Sequence, residues 1–301
     1  MEHAIGNTPL VPLRRLVEPG MARVLVKLEL CNPTGSHKDR MALALIEEAE
    51  RRGELRPGKT VLECTGGSTG SSLAFVCAFK GYRFQVISSD AFAQEKLETM
   101  RAFGAELLIE PSLEGKITPD LWPRMMARAD RLRAQGDYYY TNQFHNRDAL
   151  VGYRKMGEEL LEAEADAFCA AVGTAGLLMG VATVLREANP QMQIYALEPA
   201  TSAVLSGGPS GSHQVEGTAA GFVPPMYDAT LVTAALPISE EEARRTARAL
   251  AREEGIFAGT STGLNVTAAL ELARRLGPEK TVVTVACDSG LKYLAGDLFR
   301  R

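Results

Sequence analysis

The sequence predicts an α/β protein made of mostly parallel, open sheets with helices on both faces. Three observations lead there. Short β-rich runs alternate with helical patterns along almost the whole chain, the rhythm of strand–helix–strand crossovers. The runs at 167–172, 193–197 and 281–286 are continuously apolar, β-branched or aromatic, as strands covered on both faces are. The length, 301 residues, usually exceeds one compact core, which leaves two lobes or one large α/β domain.

Taken in order, residues 24–30 read as a strand. Residues 39–52 read as a helix, because Met41, Ala42, Leu45, Ile46 and Ala49 recur at helical spacing and Gly53 follows as a stop. Residues 60–64 are a strand, and 69–80 a helix closed by Gly81. Residues 84–88 are a strand, 93–103 a helix closed by Gly104, and 106–110 another strand. In the second half, helical stretches at about 177–188, 240–254 and 263–276 separate the three buried runs. The least regular region, 198–225, is rich in Gly, Ser and Pro and too long for a plain connection, which points to function or mobility.

Composition removes several function classes. Hydrophobic residues make up 46% and charged residues 23% of the chain, and the formal net charge is −4, so nothing electrostatic recommends a nucleic-acid partner. The apolar stretches are too short and too interrupted to span a bilayer. The opening Met1-Glu2-His3-Ala4-Ile5-Gly6 lacks the charged start and apolar core of a secretion signal, and a cytoplasmic protein without a membrane partner is expected. Cysteines stand at 31, 64, 77, 169 and 287, an odd number without any Cys-x-x-Cys pair. That spacing argues for reduced thiols in or near a core rather than a disulfide framework or zinc cluster, with Cys64 and Cys287 beside motifs; no metal site is expected.

Four turns rich in glycine and hydroxyls are expected to follow strands: Asn32-Pro33-Thr34-Gly35-Ser36-His37-Lys38, Thr65-Gly66-Gly67-Ser68-Thr69-Gly70, Gly173-Thr174-Ala175-Gly176 and Gly259-Thr260-Ser261-Thr262-Gly263. In one α/β sheet all four would face the same rim, where helix N-termini expose unpaired N–H groups to an anionic ligand. Lys38 opens a helix, a poor place for a cation. A lysine there is explained if its neutral amine attacks an aldehyde. The 173–176 turn has the geometry of a phosphate cradle, yet it is neither a P-loop nor Gly-x-Gly-x-x-Gly.

Two of these turns also match the nucleophile elbow Gly-x-Ser-x-Gly, around Ser68 and Ser261. A hydrolase of that type places its histidine last in the chain. No histidine follows Ser261, so a rival serine-hydrolase reading rests on Ser68 with His213.

The chain resembles the cysteine synthase family of fold-type-II pyridoxal-phosphate enzymes, which includes cystathionine β-synthase. The resemblance is carried by Ile5-Gly6-Asn7-Thr8-Pro9-Leu10, the run from Asn32 to Arg40, Thr141-Asn142-Gln143-Phe144, Leu197-Glu198-Pro199, Val204-Leu205-Ser206-Gly207-Gly208, Gly221-Phe222-Val223-Pro224, Asp288-Ser289-Gly290 and Tyr293-Leu294. Their order and spacing are specific where each alone is weak. The resemblance implies a two-lobed fold, with a small mobile lobe at 38–146, a large lobe from 1–37 plus 147–301, and the cofactor in the cleft. It implies pyridoxal 5'-phosphate carried on Lys38, which also shuttles the substrate α-proton. Gly173, Thr174, Ala175, Gly176 and Leu177 would hold the cofactor phosphate, and Ser261 the pyridine nitrogen. Thr65, Gly66, Gly67, Ser68 and Thr69, with Gln143, would bind the substrate carboxylate.

The implied reaction is β-replacement on O-acetylserine by sulfide, giving cysteine and acetate. β-Elimination of the dehydratase type and a cystathionine β-synthase-like reaction are the alternatives on the same scaffold. A homodimer is implied, and a serine acetyltransferase is a candidate partner. Three departures mark a divergent branch. The family's usual Thr-Ser-Gly-Asn-Thr-Gly is here Thr65-Gly66-Gly67-Ser68-Thr69-Gly70, so Ser68 replaces an asparagine that donates to the cofactor's phenolic oxygen. The usual phosphate turn Gly-Thr-Gly-Gly-Thr carries Ala175 and Leu177 instead of a glycine and a threonine. Thr218-Ala219-Ala220 stands where Ile-Gly-Ala is usual.

Overall fold

The computed structural model describes residues 1–115, 118, 120–218 and 221–300. Ala219 and Ala220 of the third departure therefore lie outside the described residues. The chain forms two compact units, Met1–Ile5 with Lys38–Ala149, and Gly6–His37 with Leu150–Arg301.

The first unit holds a four-stranded, wholly parallel sheet. Its strands are β3 (Thr60–Cys64), β4 (Arg83–Ser89), β5 (Glu106–Glu110) and β6 (Tyr138–Tyr140), in the order β5-β4-β3-β6. Helices α1 (Lys38–Arg51), α2 (Ser68–Lys80), α3 (Gln94–Ala102) and α4 (Leu121–Arg133) flank it. Strand alternation sorts the core into two layers. Val61 and Val86 join Ala42, Ile46, Leu73, Val76 and Met100. Leu62, Cys64 and Ile87 face the other way, onto Leu121, Met125 and Ala129.

The second unit holds a six-stranded sheet in the order β1-β2-β10-β7-β8-β9. The strands are β1 (Leu10–Pro12), β2 (Arg23–Leu28), β7 (Ala167–Ala171), β8 (Gln193–Pro199), β9 (Ala234–Ile238) and β10 (Thr281–Ala286). Only the β1–β2 pair is antiparallel. Pro237 is tolerated in β9 because an edge strand can forgo a ladder donor. Helices α7 (Glu240–Ala249) and α8 (Thr260–Leu276) build one apolar layer with β2, β7 and β10. The other helices are α5 (Ala149–Leu160) and α6 (Gly176–Ala188). A Cβ at Gly180 would lie 2.5 Å from Tyr153 Cβ, so glycine lets α5 and α6 meet closely.

Several expectations change. The strand expected at 24–30 stops at Leu28, and Glu29–Cys31 turns as a 3₁₀ helix. The buried Glu29 carboxylate draws the chain round by accepting from Thr8 Oγ1 at 2.6 Å and Asn32 Nδ2 at 2.7 Å. The helix expected at 240–254 ends as a π-helical turn, Leu250–Glu254. Elements β1, β6, β9, α4 and α5 went unread. Leu121, Met125, Ala129 and Leu132 do recur at helical spacing in α4. Cys31 is exposed, not in or near a core, while the other four cysteines are buried and none of the five is in a disulfide. Among the described residues no helix is long and apolar enough to cross a membrane.

Candidate functional site

The four glycine turns do not share one sheet. The 65–70 turn follows β3 of the first unit's sheet, and the 173–176 turn follows β7 of the second's. Nor do all four follow strands. A 3₁₀ turn precedes 32–38, and an isolated bridge, Ala258 to Ser289, precedes 259–263. The elbow reading of Ser261 fails on this, since an elbow needs a strand before it.

In the first unit, β3 delivers Thr65 to its carboxyl end, where ligands gather in parallel sheets. Gly67 N donates to Thr65 Oγ1 at 3.2 Å, closing a tight hydroxyl turn before α2 begins at Ser68. A Cβ on Gly66 would fall 2.0 Å from Phe92 Cγ. The aromatic ring therefore occupies the room that the family's serine needs, which accounts for the glycine. Gln143 comes to the same turn from 80 residues downstream of Glu63. Its Oε1 accepts from Thr69 Oγ1 at 2.7 Å, and its Nε2 donates to Cys64 O at 3.4 Å. The first unit thus brings Thr65, Gly66, Gly67, Ser68, Thr69 and Gln143 together.

Beneath this turn lies Glu63, a residue the sequence reading passed over. It is 1% exposed and accepts from Thr141 Oγ1 at 2.7 Å, Gln143 N at 3.0 Å and Cys64 N at 2.8 Å. Burial pushes its carboxyl up to about 7, against the lowering effect of those three hydrogen bonds and of the Lys38 ammonium. Lys38 itself is half-buried at the first position of α1.

In the second unit, the 173–176 turn runs into the N-terminus of α6. Ala175 adopts φ 68, the left-handed region that a glycine enters freely. A Cβ at Gly173 would lie 2.2 Å from Gly217 O, so this position requires glycine. Thr174, Ala175 and Leu177 are buried. The first N–H groups of α6 have no intrahelical acceptor and sit at the positive end of a helix of 13 residues. Such a turn can hold a phosphate.

Ser261, 5% exposed, is the second residue of α8. Its neighbour Thr260 has a buried Oγ1 without a hydrogen-bond partner among the described residues. Thr262 Oγ1 accepts from Cys287 N at 3.0 Å. Asn265, also unforeseen, ties three elements. Its Oδ1 accepts from Ala171 N at 2.7 Å, and its Nδ2 donates to Val285 O at 2.8 Å. The closing motif packs on the same turn. A Cβ at Gly259 would lie 2.3 Å from the Tyr293 ring, whose hydroxyl donates to Asp288 Oδ2 at 2.9 Å. The final glycine, Gly263, answers to α7, because a Cβ there would fall 1.9 Å from Ala243 O.

The residues just before Lys38 are also fixed within the second unit. His37 N donates to Cys287 O at 2.9 Å, and Ser289 N to Gly35 O at 2.9 Å. The His37 ring meets Tyr153 through Nδ1 and the phenol oxygen at 2.9 Å. His213, the hydrolase candidate, accepts from Val215 N at its Nδ1, 3.3 Å away.

The chain is similar over nearly its whole length to known proteins. The model of a family described as pyridoxal-phosphate dependent enzyme matches residues 1–288. A cysteine synthase of Staphylococcus aureus is 41% identical over 300 residues, spanning 98% of this chain and 95% of that protein. The crystal structure of cysteine synthase from Entamoeba histolytica has a TM-score of 0.93 and 35% identity, covering 100% of this chain and 90% of that one. An O-acetylserine dependent cystathionine beta-synthase from Helicobacter pylori has a TM-score of 0.91 and 30% identity, covering 99% and 97%.

Proposed function

The chain belongs to the family of pyridoxal-phosphate dependent enzymes, and from that premise we propose that it is a cysteine synthase, replacing the acetoxy group of O-acetylserine with sulfide to release cysteine and acetate. The near full-length likeness to a cysteine synthase carries this reading. The residues present fit the cofactor. Gly173 sits where a Cβ would strike the backbone, α6 begins without a side-chain cap on its first N–H groups, and Thr260, beside Ser261, keeps a buried hydroxyl without a partner among the described residues. When bound, pyridoxal phosphate supplies an electron sink that acidifies the substrate Cα–H and lets the β-substituent leave.

The protein's part follows from the chemistry of its side chains. Lys38 Nζ would hold the cofactor aldehyde and, once the substrate amine has taken its place there, would take the Cα proton and later return it. Backbone N–H groups of Gly173, Thr174, Ala175, Gly176 and Leu177 bind the phosphate, without the hydroxyl that a threonine at 177 would add. Ser261 offers the pyridine nitrogen a neutral hydroxyl, which cannot keep it protonated as a carboxylate would; this favours loss of the β-group over transamination. Thr65, Gly66, Gly67, Ser68 and Thr69, with Gln143, orient the substrate carboxylate. Ser68 also stands in for the asparagine that reaches the phenolic oxygen in relatives. A homodimeric, cytosolic enzyme that docks a serine acetyltransferase completes the reading, on the strength of the family resemblance.

The test begins with the imine. Purified protein supplied with the cofactor is yellow, and borohydride followed by peptide mapping places the adduct on Lys38. Lys38→Ala removes the adduct and lowers turnover by at least about 10³-fold. O-acetylserine, O-phosphoserine, serine and threonine are then offered with sulfide, with homocysteine or alone. Cysteine forms fastest from O-acetylserine and sulfide. Pyruvate and ammonia released at the same rate with or without sulfide would instead establish an eliminase.

A further inference from the structure

Glu63 belongs to no motif and takes no part in the chemistry above, yet it is a buried carboxylate at the end of β3. It lies on the Val61 face of the strand, away from Leu62 and Cys64. An interior carboxylate is costly unless its lone pairs are filled. Two of its three donors, Thr141 Oγ1 and Gln143 N, come from one short stretch of chain and meet the same oxygen, Oε2. Asn142, between those anchors, is bent to φ 49 in the left-handed region. The 141–143 kink is thus pinned on both sides of its bend. The pinned backbone aims the Gln143 side chain at Thr69 Oγ1 and Cys64 O.

We propose that Glu63 is a positioning residue for the carboxylate-binding turn, holding Gln143 against Thr69 through the 141–143 kink so that an amino-acid carboxylate finds its donors already arranged. This rests on the reading under Proposed function and adds a residue to it. A charged carboxylate holds this arrangement best, because Oε2 accepts two hydrogen bonds and Oε1 a third, and a proton on the group weakens it as an acceptor for them.

Charge makes the role testable. With its carboxyl pushed up to about 7 by burial, Glu63 changes charge in the working range. The groups around it are Lys38 of α1, Cys64 of β3 itself and Tyr140 of β6. Burial pushes the Cys64 thiol up to about 12 and the Tyr140 phenol higher still, so both stay neutral there. The first turn of α2, Ser68 to Ser71, contributes no ionisable carboxylate or amine. The two consequences of protonation have opposite signs. Because the folded value is raised, this group's contribution to stability is full below the unfolded value and is lost as pH rises through about 7. Carboxylate affinity instead falls as pH drops through the same range.

The experiment uses the holoenzyme and propionate, a carboxylate without an amino group, titrated from pH 6 to 8.5 by the change in cofactor absorbance. In the wild type, propionate binding weakens below an inflection near pH 7. Glu63→Gln is expected to keep its cofactor content, weaken propionate about tenfold, lose the inflection, and raise KM for the amino acid with kcat within about threefold. Glu63→Asp, which keeps the charge on a shorter arm, recovers part of the affinity and retains an inflection. The proposal is overturned if Glu63→Gln binds propionate as the wild type does with the same pH profile, or if the wild type shows no inflection. Should Glu63→Gln fail to fold, Glu63→Asp and the wild-type profile decide alone. A wild type that forms no cofactor adduct at all would sink the functional reading instead, a result distinct from either.

Discussion

Gly66 and Phe92 act as one unit. A serine at 66 would be driven into the ring, which stands 2.0 Å from the added Cβ and packs at 6.0 Å, centroid to centroid, on Trp122. Overpacking of this kind costs about 1–3 kcal/mol. Gly66→Ser is therefore expected to lower the unfolding free energy in urea by that amount, and Phe92→Ala to lower it through lost packing. The double variant should recover about 1 kcal/mol or more relative to the sum, the signature of residues in contact. Strict additivity in that cycle would show that the ring is free to move aside. On the proposed reading, glycine at 66 withholds the hydroxyl that a serine would offer the carboxylate turn, so that Thr65, Thr69 and Gln143 would carry more of the binding. Ala175 is a second local departure, since it holds a left-handed conformation with a Cβ that a glycine would lack.

Among the elements, α8 does most to set the geometry of the large sheet's carboxyl end. Its apolar residues Leu264, Ala268 and Leu272 pack under β2, β7 and β10, and its first turns carry Ser261 and Asn265. Asn265 is the clamp, since a single amide satisfies Ala171 N on β7 and Val285 O on β10. Asn265→Ala takes the acceptor from Ala171 N and one donor from Val285 O, and is expected to cost about 1–3 kcal/mol. Urea unfolding reads the loss, and hydrogen exchange at the Ala171 amide shows whether it is local. An unchanged Ala171 rate would mean that the β7 ladder does not depend on the clamp. Phosphate binding should weaken alongside, because β7 leads directly into the 173–176 turn.

For the molecule as a whole, each unit has a core of its own. Leu73→Ala, in the first unit's core, is expected to reduce amide protection in β3 and β4 by about 2–5 kcal/mol. Protection in β7 and β10 should stay within about 0.5 kcal/mol. Leu264→Ala should do the reverse. Equal losses throughout the chain would show that both units open together, so that one stability describes them.

How much of this could be read along the chain depends on the distance over which each feature is written. The buried strands β7, β8 and β10 announce themselves as apolar, β-branched or aromatic runs, and the helix starting at Lys38 by its periodicity, because burial and propensity act on neighbouring residues. The glycine turns and the lysine were legible for the same reason. Strand β6 is only three tyrosines long, and β1 and β9 are edge strands whose pattern is weak. The partners that give the site its shape were beyond such reading. Thr141 reaches Glu63 across 78 residues, Gln143 reaches Thr69 across 74, and Asn265 reaches Ala171 across 94. Phe92 explains Gly66 only once the chain has turned back on itself. Chain order therefore set the chemistry available, from the amine to the anion cradle. Folding chose which polar groups meet, because hydrogen bonds and close packing depend on approach in space and leave no periodic trace in the order of residues.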